Sequence, residues 1–164
     1  TTGGPTDQYV SWYNTPAGGR LTGLIFTDGS AVLGQHADVR RAGWSLVQTD
    51  DLGGLVSACH GFVPEAMAHR QTSRDGDDFA FHMAGLVCTG TGRFCVGCTG
   101  AVGFLTKGKA ETCSHRHERS HLWTSLVANF GVGDYSAEKV KAHATPQDVE
   151  AARIRECQST ADCS

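Results

Sequence analysis

The sequence has 164 residues, with 14 lysines and arginines against 17 aspartates and glutamates, so its formal charge is −3 with histidine neutral. That length suits one domain with one hydrophobic core. Hydrophobic residues make up 40% and charged residues 19%, which argues against wholesale disorder. The slight acidic excess excludes a protein that coats nucleic acid through bulk positive charge, although it leaves room for a local basic strip.

No apolar run approaches the roughly 20 residues of a transmembrane helix, and residues 1–5 lack the features of a signal peptide. We therefore expect no membrane partner. The chain does not begin with Met, so we expect a fragment of a longer chain. Its seven cysteines are an odd number in a domain too large to need disulfides. We expect them to be reduced and the protein to be intracellular.

The first half of the chain is predicted to form strands. Residues 1–20 are rich in Gly, Thr and Pro and are predicted to be an irregular lead-in to a domain over 21–164. The apolar run Leu24-Ile25-Phe26 is typical of a strand buried on both faces. Residues 43–48 and 55–61 flank a turn-rich segment and indicate a hairpin. Together these three strands predict an antiparallel meander.

The second half alternates helices and strands. From Asp75 the apolar residues Phe79, Met83 and Leu86 follow a helical spacing. The further predicted elements are a strand at 94–96, a helix through 122–130, a half-buried strand at 139–143 and a last helix that begins after the N-cap Thr145. This order predicts an α/β fold in which helices pack on a mixed sheet.

Asp28 is the most informative single residue. It stands where the apolar run ends, in Phe26-Thr27-Asp28-Gly29-Ser30. A carboxylate held by a strand and still open to solvent suits a ligand of a hard divalent cation. The alternative is an ordinary turn aspartate before glycine, and local pattern leaves both open.

Five landmarks occur in the order seen in type 1 ribonuclease H domains. They are Phe26-Thr27-Asp28-Gly29-Ser30-Ala31, Arg41-Ala42-Gly43-Trp44, Gln71-Thr72, Lys141-Ala142-His143-Ala144-Thr145 and Ala161-Asp162. The chain resembles these domains from about Leu21 to Asp162, and most of all the versions attached to retrotransposon reverse transcriptases. The resemblance implies a ribonuclease H-like fold, a five-stranded mixed sheet with strands 1–3 antiparallel and helices packed on it. It also implies that the final helix is truncated here.

The same resemblance implies an activity. Ribonuclease H domains hydrolyse the RNA strand of RNA–DNA hybrids with two Mg²⁺ ions, or Mn²⁺ in their place, held by four carboxylates. Two cations about 4 Å apart activate the attacking water and stabilise the leaving oxygen, so no covalent nucleophile is required. The implied partners are an RNA–DNA hybrid and a reverse transcriptase domain in the same polyprotein.

The first two acids of the family have counterparts here. The first is Asp28. The second, normally a glutamate within an Arg-Ala-Glu pattern early in the first helix, falls on Asp77, which is one methylene shorter. The alternative is that Asp77 and its neighbours Asp75 and Asp78 complement the positive end of the helix dipole.

The other catalytic positions match unevenly. The third acid, normally just before a Cys-x-Gly, falls on Gly97, so a negative charge is lost from a site that binds cations. The fourth falls on Asp162, two residues before the end of the sequence, and a frayed terminal aspartate is the alternative. His143 corresponds to the family histidine that shuttles protons or assists product release, a role that suits a group titrating near neutral pH.

A basic set of residues is the candidate contact for nucleic acid. Lys139 and Lys141 share a predicted strand face with His143, and a histidine-rich segment precedes the helix at Leu122. By resemblance these residues contact phosphates, and the alternative is a solvated helix face. The candidate residues are Arg116, His117, Arg119, Lys139 and Lys141.

Two other readings compete with an active nuclease. Cys95 and Cys98 form a Cys-x-x-Cys, and Cys113, His115 and His117 follow within the spacing of a zinc site, so a zinc-stabilised binding module is one alternative. The other is a catalytically inactive ribonuclease H-like domain kept for nucleic-acid binding or as a scaffold.

Overall fold

The computed structural model describes residues 10–32, 40–68, 70–88, 92–97, 121–123, 126, 128, 135–139 and 147. Its elements in chain order are β1 (Ser11–Tyr13), β2 (Leu24–Val32), β3 (Arg41–Thr49), β4 (Leu55–Phe62), α1 (Ser73–Val87), β5 (Gly92–Val96) and β6 (Tyr135–Lys139). Residues 121–123, 126 and 128 are also helical, as is Gln147.

The strands form one mixed sheet in the order β1-β4-β3-β2-β5-β6. The pairs β1–β4, β4–β3 and β3–β2 are antiparallel, and the pairs β2–β5 and β5–β6 are parallel. The predicted fold class and the antiparallel meander are therefore confirmed. Three strands joined by short connections pair antiparallel, whereas α1 provides the crossover that brings β5 parallel to β2.

The sheet has six strands rather than the expected five, because part of the lead-in pairs with β4. Trp12 lies opposite Cys59 in β4 and packs against the core. The single Ser57 hydroxyl proton is shared between the carbonyls of Tyr13 and Asn14, with both oxygens within hydrogen-bond distance. The Gly- and Pro-rich composition predicted an irregular segment, but tertiary contacts made by its few large side chains order it as an edge strand.

Two strands differ in extent from their predictions. β2 continues through Val32, because its pairing with β3 extends to Val32 opposite Arg41. Asp28 is therefore inside β2, not at its end. The described part of β6 begins at Tyr135 and includes Lys139, the residue at which the alternating pattern predicted the start of the strand. Residues 140–143 lie outside the described part of the chain.

The core lies between the sheet and its helices. Ile25 and Leu46 from the sheet are fully buried together with Phe81 from α1. The ring of Phe81 stacks on Trp123, with 4.7 Å between centroids, and meets Phe94 edge-on at 5.4 Å. These aromatic contacts join α1, β5 and the helical residues 121–123 in one core.

The start of α1 is set by local hydrogen bonds. The Thr72 side chain accepts from the backbone N–H of Asp75, and the Asp75 carboxylate accepts from the backbone N–H of Thr72 at 3.0 Å. This reciprocal capping box satisfies two amides that the first helical turn leaves without partners. Within the described residues, none of the helices has the length and apolar content to cross a membrane.

Candidate active site

Asp28 is the first residue of β2 that is paired with a neighbouring strand on one side only. On one side β2 pairs with β3 along its whole length, and Asp28 lies opposite Ser45. On the other side the pairing with β5 ends at Thr27 opposite Val96. The Asp28 side chain is exposed. The carboxylate is thus attached to a strand held by the sheet and remains open to solvent, as the sequence analysis expected.

Gly97 lies at the same edge of the sheet. Asp28 and Gly97 each follow a residue of the last β2–β5 pair, Thr27 and Val96. Because parallel strands run in the same direction, the residues that follow a pair emerge side by side. The position predicted for the third acid is therefore adjacent to Asp28, and it carries no carboxylate.

Two glycines, Gly29 and Gly76, allow the first turns of α1 to lie against the sheet backbone. A Cβ atom built on Gly29 would overlap the backbone nitrogen of Asp77 and lie 2.6 Å from the carbonyl carbon of Gly76. A Cβ atom on Gly76 would overlap the carbonyl oxygen of Gly43. Only residues without a side chain permit this approach. The fold therefore places the backbone of Asp77 directly against the residue after Asp28.

The acids next to Asp77 have other contacts. Asp75 is 4% exposed, and its carboxylate accepts from the backbone and the hydroxyl of Thr72 in the capping box. Asp78 is fully buried, and its Oδ2 accepts from Nε of Arg74 at 3.0 Å. Asp77 is half-buried. The interpretation that these acids stabilise the start of the helix therefore fits Asp75. Asp77 is the acid of this group whose backbone lies next to Gly29.

Gln71 joins the start of α1 to the sheet, a role that the sequence analysis missed. It is 2% exposed and has a left-handed backbone with φ of 51°. Its Oε1 accepts from the backbone N–H of Ala42 at 2.8 Å, and its Nε2 donates to the carbonyls of Val63 and Ala68 at 3.0 and 2.8 Å. Nothing in the sequence around Gln71 marks it as buried, since its partners are backbone atoms of other segments.

A cleft of about 470 Å³ opens beside Asp28. The residues that line it include Asp28, Ser30, Ser45 and His60. Ser45 is on β3 and lies opposite both Asp28 of β2 and His60 of β4. His60 is exposed on β4. His60 was not predicted from the sequence, because a single histidine in an apolar strand has no distinguishing pattern.

Most of the other predicted site residues lie outside the described part of the chain. This holds for His143 and Asp162, for Arg116, His117, Arg119 and Lys141, and for the zinc candidates Cys98, Cys113 and His115. For Lys139 the structure describes the backbone at the end of β6. These assignments stay predictions.

The cysteines that the structure describes are reduced and buried. They are Cys59, Cys88 and Cys95. Burial raises the pKa of the Cys59 thiol to about 12. Burial also raises the pKa of Cys88, and the nearby Cys59 acts in the same direction. Thiols of this kind are poor nucleophiles and poor metal ligands, since both roles need the thiolate.

The described residues do not by themselves form a metal site. They contain no group of three or more His, Cys, Asp or Glu side chains that could hold a metal ion. Asp28 and Asp77 nevertheless offer two carboxylates on neighbouring backbone segments. Mg²⁺ is commonly held by one or two carboxylates, with water and substrate phosphate completing its shell. Carboxylates are hard ligands of the kind that Mg²⁺ and Mn²⁺ take, and neither residue is a soft ligand for zinc.

The fold has clear counterparts among solved structures. The PFV RNase H domain is similar with a TM-score of 0.57 and 14% identity over 86% of this chain and 94% of that one. The prototype foamy virus protease-reverse transcriptase is similar with a TM-score of 0.56 and 13% sequence identity. The match covers 79% of this chain and 19% of that one. LC9-RNase H1, a type 1 RNase H with the type 2 active-site motif, is similar with a TM-score of 0.53 and 16% sequence identity. The match covers 82% of this chain and 70% of that one.

This chain has the ribonuclease H-like fold. No model of a protein family matches the sequence, and no curated protein matches it. At these identities the likeness is one of fold. Within the ribonuclease H-like fold, the strand order and the approach of α1 to β2 bring Asp28, Asp77 and the Gly97 position to one region of the sheet.

Proposed function

We propose that this chain is a ribonuclease H-type domain that cleaves the RNA strand of RNA–DNA hybrids with a divalent cation, and that the glycine at position 97 weakens it. The observation that carries the proposal is the contact between Gly29 and the backbone of Asp77, which puts two carboxylate-bearing segments together at the Asp28 edge. The fold similarity to RNase H domains supports the same function.

In this proposal Asp28 and Asp77 hold Mg²⁺ or Mn²⁺. A bound cation of this kind supplies an activated water and stabilises charge on the phosphodiester. Asp162 completes the carboxylate set and His143 moves a proton during product release. Lys139, Lys141 and the basic residues 116–119 contact the phosphates of the hybrid.

The proposed setting is a retroelement polyprotein, inside the cell, in which a reverse transcriptase domain precedes or accompanies this one. The foamy virus protease-reverse transcriptase supports it, because the similar part of that protein is 19% of its chain. An RNA–DNA hybrid is the product of reverse transcription, so a nuclease for the RNA strand acts on what its partner domain makes.

The test is hybrid cleavage with Mg²⁺ and with Mn²⁺ by the parent chain and two variants. Asp28→Asn removes a charged ligand and is expected to lower cleavage at least a hundredfold. Gly97→Asp restores the third carboxylate and is expected to raise cleavage at least tenfold. Single-stranded RNA of the same sequence is the control substrate. Cleavage by the parent that survives Asp28→Asn would contradict the assignment.

The second candidate is a domain that binds hybrids without cleaving them. The specific observation in its favour is Gly97, which removes a ligand at the edge next to Asp28. It predicts that the parent binds a labelled hybrid and shows no cleavage with either metal.

A further inference from the structure

The sheet face opposite α1 carries exposed rings along β4. Cys59 is fully buried in the core that α1 covers, so the side chains at alternate positions of β4 point to the other face. These include His60, which is exposed, and Phe62, which is 68% exposed. Residues two apart on a strand are separated by about 6.7 Å, so the two rings are neighbours. Neighbouring apolar groups on a surface mark a binding site more often than single ones do.

Tyr13 adds a third ring to this face from β1. Trp12 packs against the core, so the next side chain points away from α1. Tyr13 is 57% exposed and lies opposite Ala58, which is two residues before His60 on β4. Rings thus occur at three successive levels of the sheet, each about 6.7 Å from the next along the strands. A ligand that covers all three is a chain with repeated flat groups, not a single small molecule.

The strand beside the two rings of β4 has small residues on this face. Gly43 of β3 lies opposite Phe62, and Ser45 lies opposite His60. The cleft of about 470 Å³ occupies the space that these small residues leave, and all four of them line it. Gly43 and Ser45 form its floor, and the two rings form one wall. The cleft therefore has room for a flat group beside the rings.

The other wall of the cleft, on β2, carries oxygen atoms. Asp28 and Ser30 line it and lie opposite Ser45 and Gly43. A Cβ atom built on Gly43 would come within 2.7 Å of the Ser30 hydroxyl oxygen, so this hydroxyl group reaches over the floor. Carboxylate and hydroxyl oxygens accept hydrogen bonds, and the amino groups at the edge of a nucleobase donate them. A nucleobase suits both walls, since its flat face can stack on the rings while its edge meets the oxygens.

Positive charge is present at the Phe62 end of this face. Arg41 is two residues before Gly43 on β3 and therefore points to the same face. Its side chain is 46% exposed and forms an ion pair with Glu65 at 2.9 Å. An exposed guanidinium group is a common contact for the phosphates of nucleic acid. Rings in a row with a cation at one end are the combination that unpaired nucleic-acid strands bind.

We propose that this face binds an unpaired, single strand of nucleic acid, with successive bases stacked on Phe62, His60 and Tyr13. A duplex cannot bind in this way, because its bases are already stacked on one another. Binding requires no cation and no cleavage, so it is separate from the proposed function. The bound strand nevertheless lies next to Asp28, which is part of the same cleft.

The experiment measures the affinity of a short, unstructured, fluorescently labelled RNA strand by anisotropy, in EDTA so that no cation contributes. Phe62→Leu keeps an apolar side chain without a ring, and Phe62→Tyr keeps the ring. Gly43→Val fills the floor of the cleft. Leu52→Ala, at a 78% exposed position in the turn before β4, is the control. Thermal unfolding is followed for each chain, and an RNA–DNA duplex of the same sequence is the second ligand.

We expect Phe62→Leu and Gly43→Val each to weaken binding of the single strand about tenfold, because stacking of a base is lost or blocked. Phe62→Tyr and Leu52→Ala are expected to bind it within about twofold of the parent, since both keep the rings. Phe62→Leu is expected to leave any binding of the duplex unchanged. A loss confined to the single strand distinguishes stacking from a general effect on the fold.

The proposal is overturned if the parent does not bind the single strand, or if Phe62→Leu binds it as tightly as Phe62→Tyr. Equal weakening of single-strand and duplex binding by Phe62→Leu also overturns it, because the ring would then contact something other than unstacked bases. The Phe62 variants decide the matter even where Gly43→Val does not fold, since position 62 is exposed. A parent that binds the single strand but cleaves no hybrid contradicts the proposed function alone.

Discussion

Gln71 shows how much of the candidate site depends on one buried polar side chain. Its amide satisfies one backbone donor and two backbone acceptors from β3 and from the link between β4 and α1. Its own backbone adopts the left-handed region, which is uncommon for residues other than glycine. The chain turns sharply at Gln71 and enters the capping box at Thr72 in the orientation that brings Asp77 to β2.

Replacement of Gln71 by leucine is expected to lower the free energy of unfolding by about 3 kcal/mol, because it leaves three buried backbone groups without partners. Denaturant unfolding measures the change. Gln48→Leu is the matched control, since Gln48 Oε1 accepts one hydrogen bond, from Thr22 N at 3.1 Å, at an exposed location. We expect the control to cost about 1 kcal/mol or less. Equal losses in the two variants would show that the Gln71 contacts do not hold the helix start.

At the scale of elements, α1 is joined to the helical residues 121–123 by a hydrogen bond between His82 and the Leu122 backbone as well as by the aromatic core. His82 stacks obliquely on Phe79, with ring centroids 5.1 Å apart. The ring of His121 lies 2.7 Å from the Met67 carbonyl. Burial lowers the pKa of His82, and the charge of His121 lowers it further, while a hydrogen bond with the Leu122 backbone acts in the opposite direction.

This shift makes the packing of the two helices sensitive to acid. With a pKa below its ordinary value in the folded protein, His82 binds a proton more readily in the unfolded chain. Its contribution to stability is therefore fully present above the ordinary pKa of about 6.5 and is lost as the pH falls toward the lower folded value.

The measurement is the free energy of unfolding between pH 8 and pH 5 for the parent and His82→Gln. Below about pH 6.5 we expect the free energy of unfolding to fall more steeply with decreasing pH in the parent than in His82→Gln, because the glutamine of the variant does not titrate. A slope unchanged by His82→Gln would refute the linkage.

At the scale of the whole molecule, the reactivity of the buried thiols indicates whether the core is closed to solvent. Cys59 and Cys88 come from β4 and from the end of α1, and both are fully buried. Their raised pKa values mean that few thiolates exist near neutral pH, and burial also denies access to reagents. Their reactivity therefore depends on opening of the fold.

Iodoacetamide at pH 8, followed by mass spectrometry of peptides, tests this expectation. In the native protein Cys59 and Cys88 should remain unlabelled over times that fully label a small thiol, and both should be labelled in denaturant. The denatured sample is the control for intrinsic reactivity. Rapid labelling of Cys59 without denaturant would mean that the core of the sheet is not closed around it.

Much of the architecture follows from the sequence because it is encoded in short-range patterns. The apolar run before Asp28, the hairpin around residues 49–54 and the helical stripe from Phe79 each reflect the repeat of a single element. The exposed carboxylate of Asp28 on a strand was likewise predicted from its local pattern. These features depend on neighbours a few residues apart.

Only the tertiary structure decided how those pieces meet. It extended β2 past Asp28, added β1 from a segment of loop-like composition, and placed β6 earlier than its alternating pattern suggested. It also showed that the Asp75 carboxylate accepts hydrogen bonds in the capping box, whereas the backbone of Asp77 lies against Gly29. The physical reason is that backbone approach at Gly29 and Gly76 and the hydrogen bonds of Gln71 join segments distant in sequence, and no periodicity records such contacts.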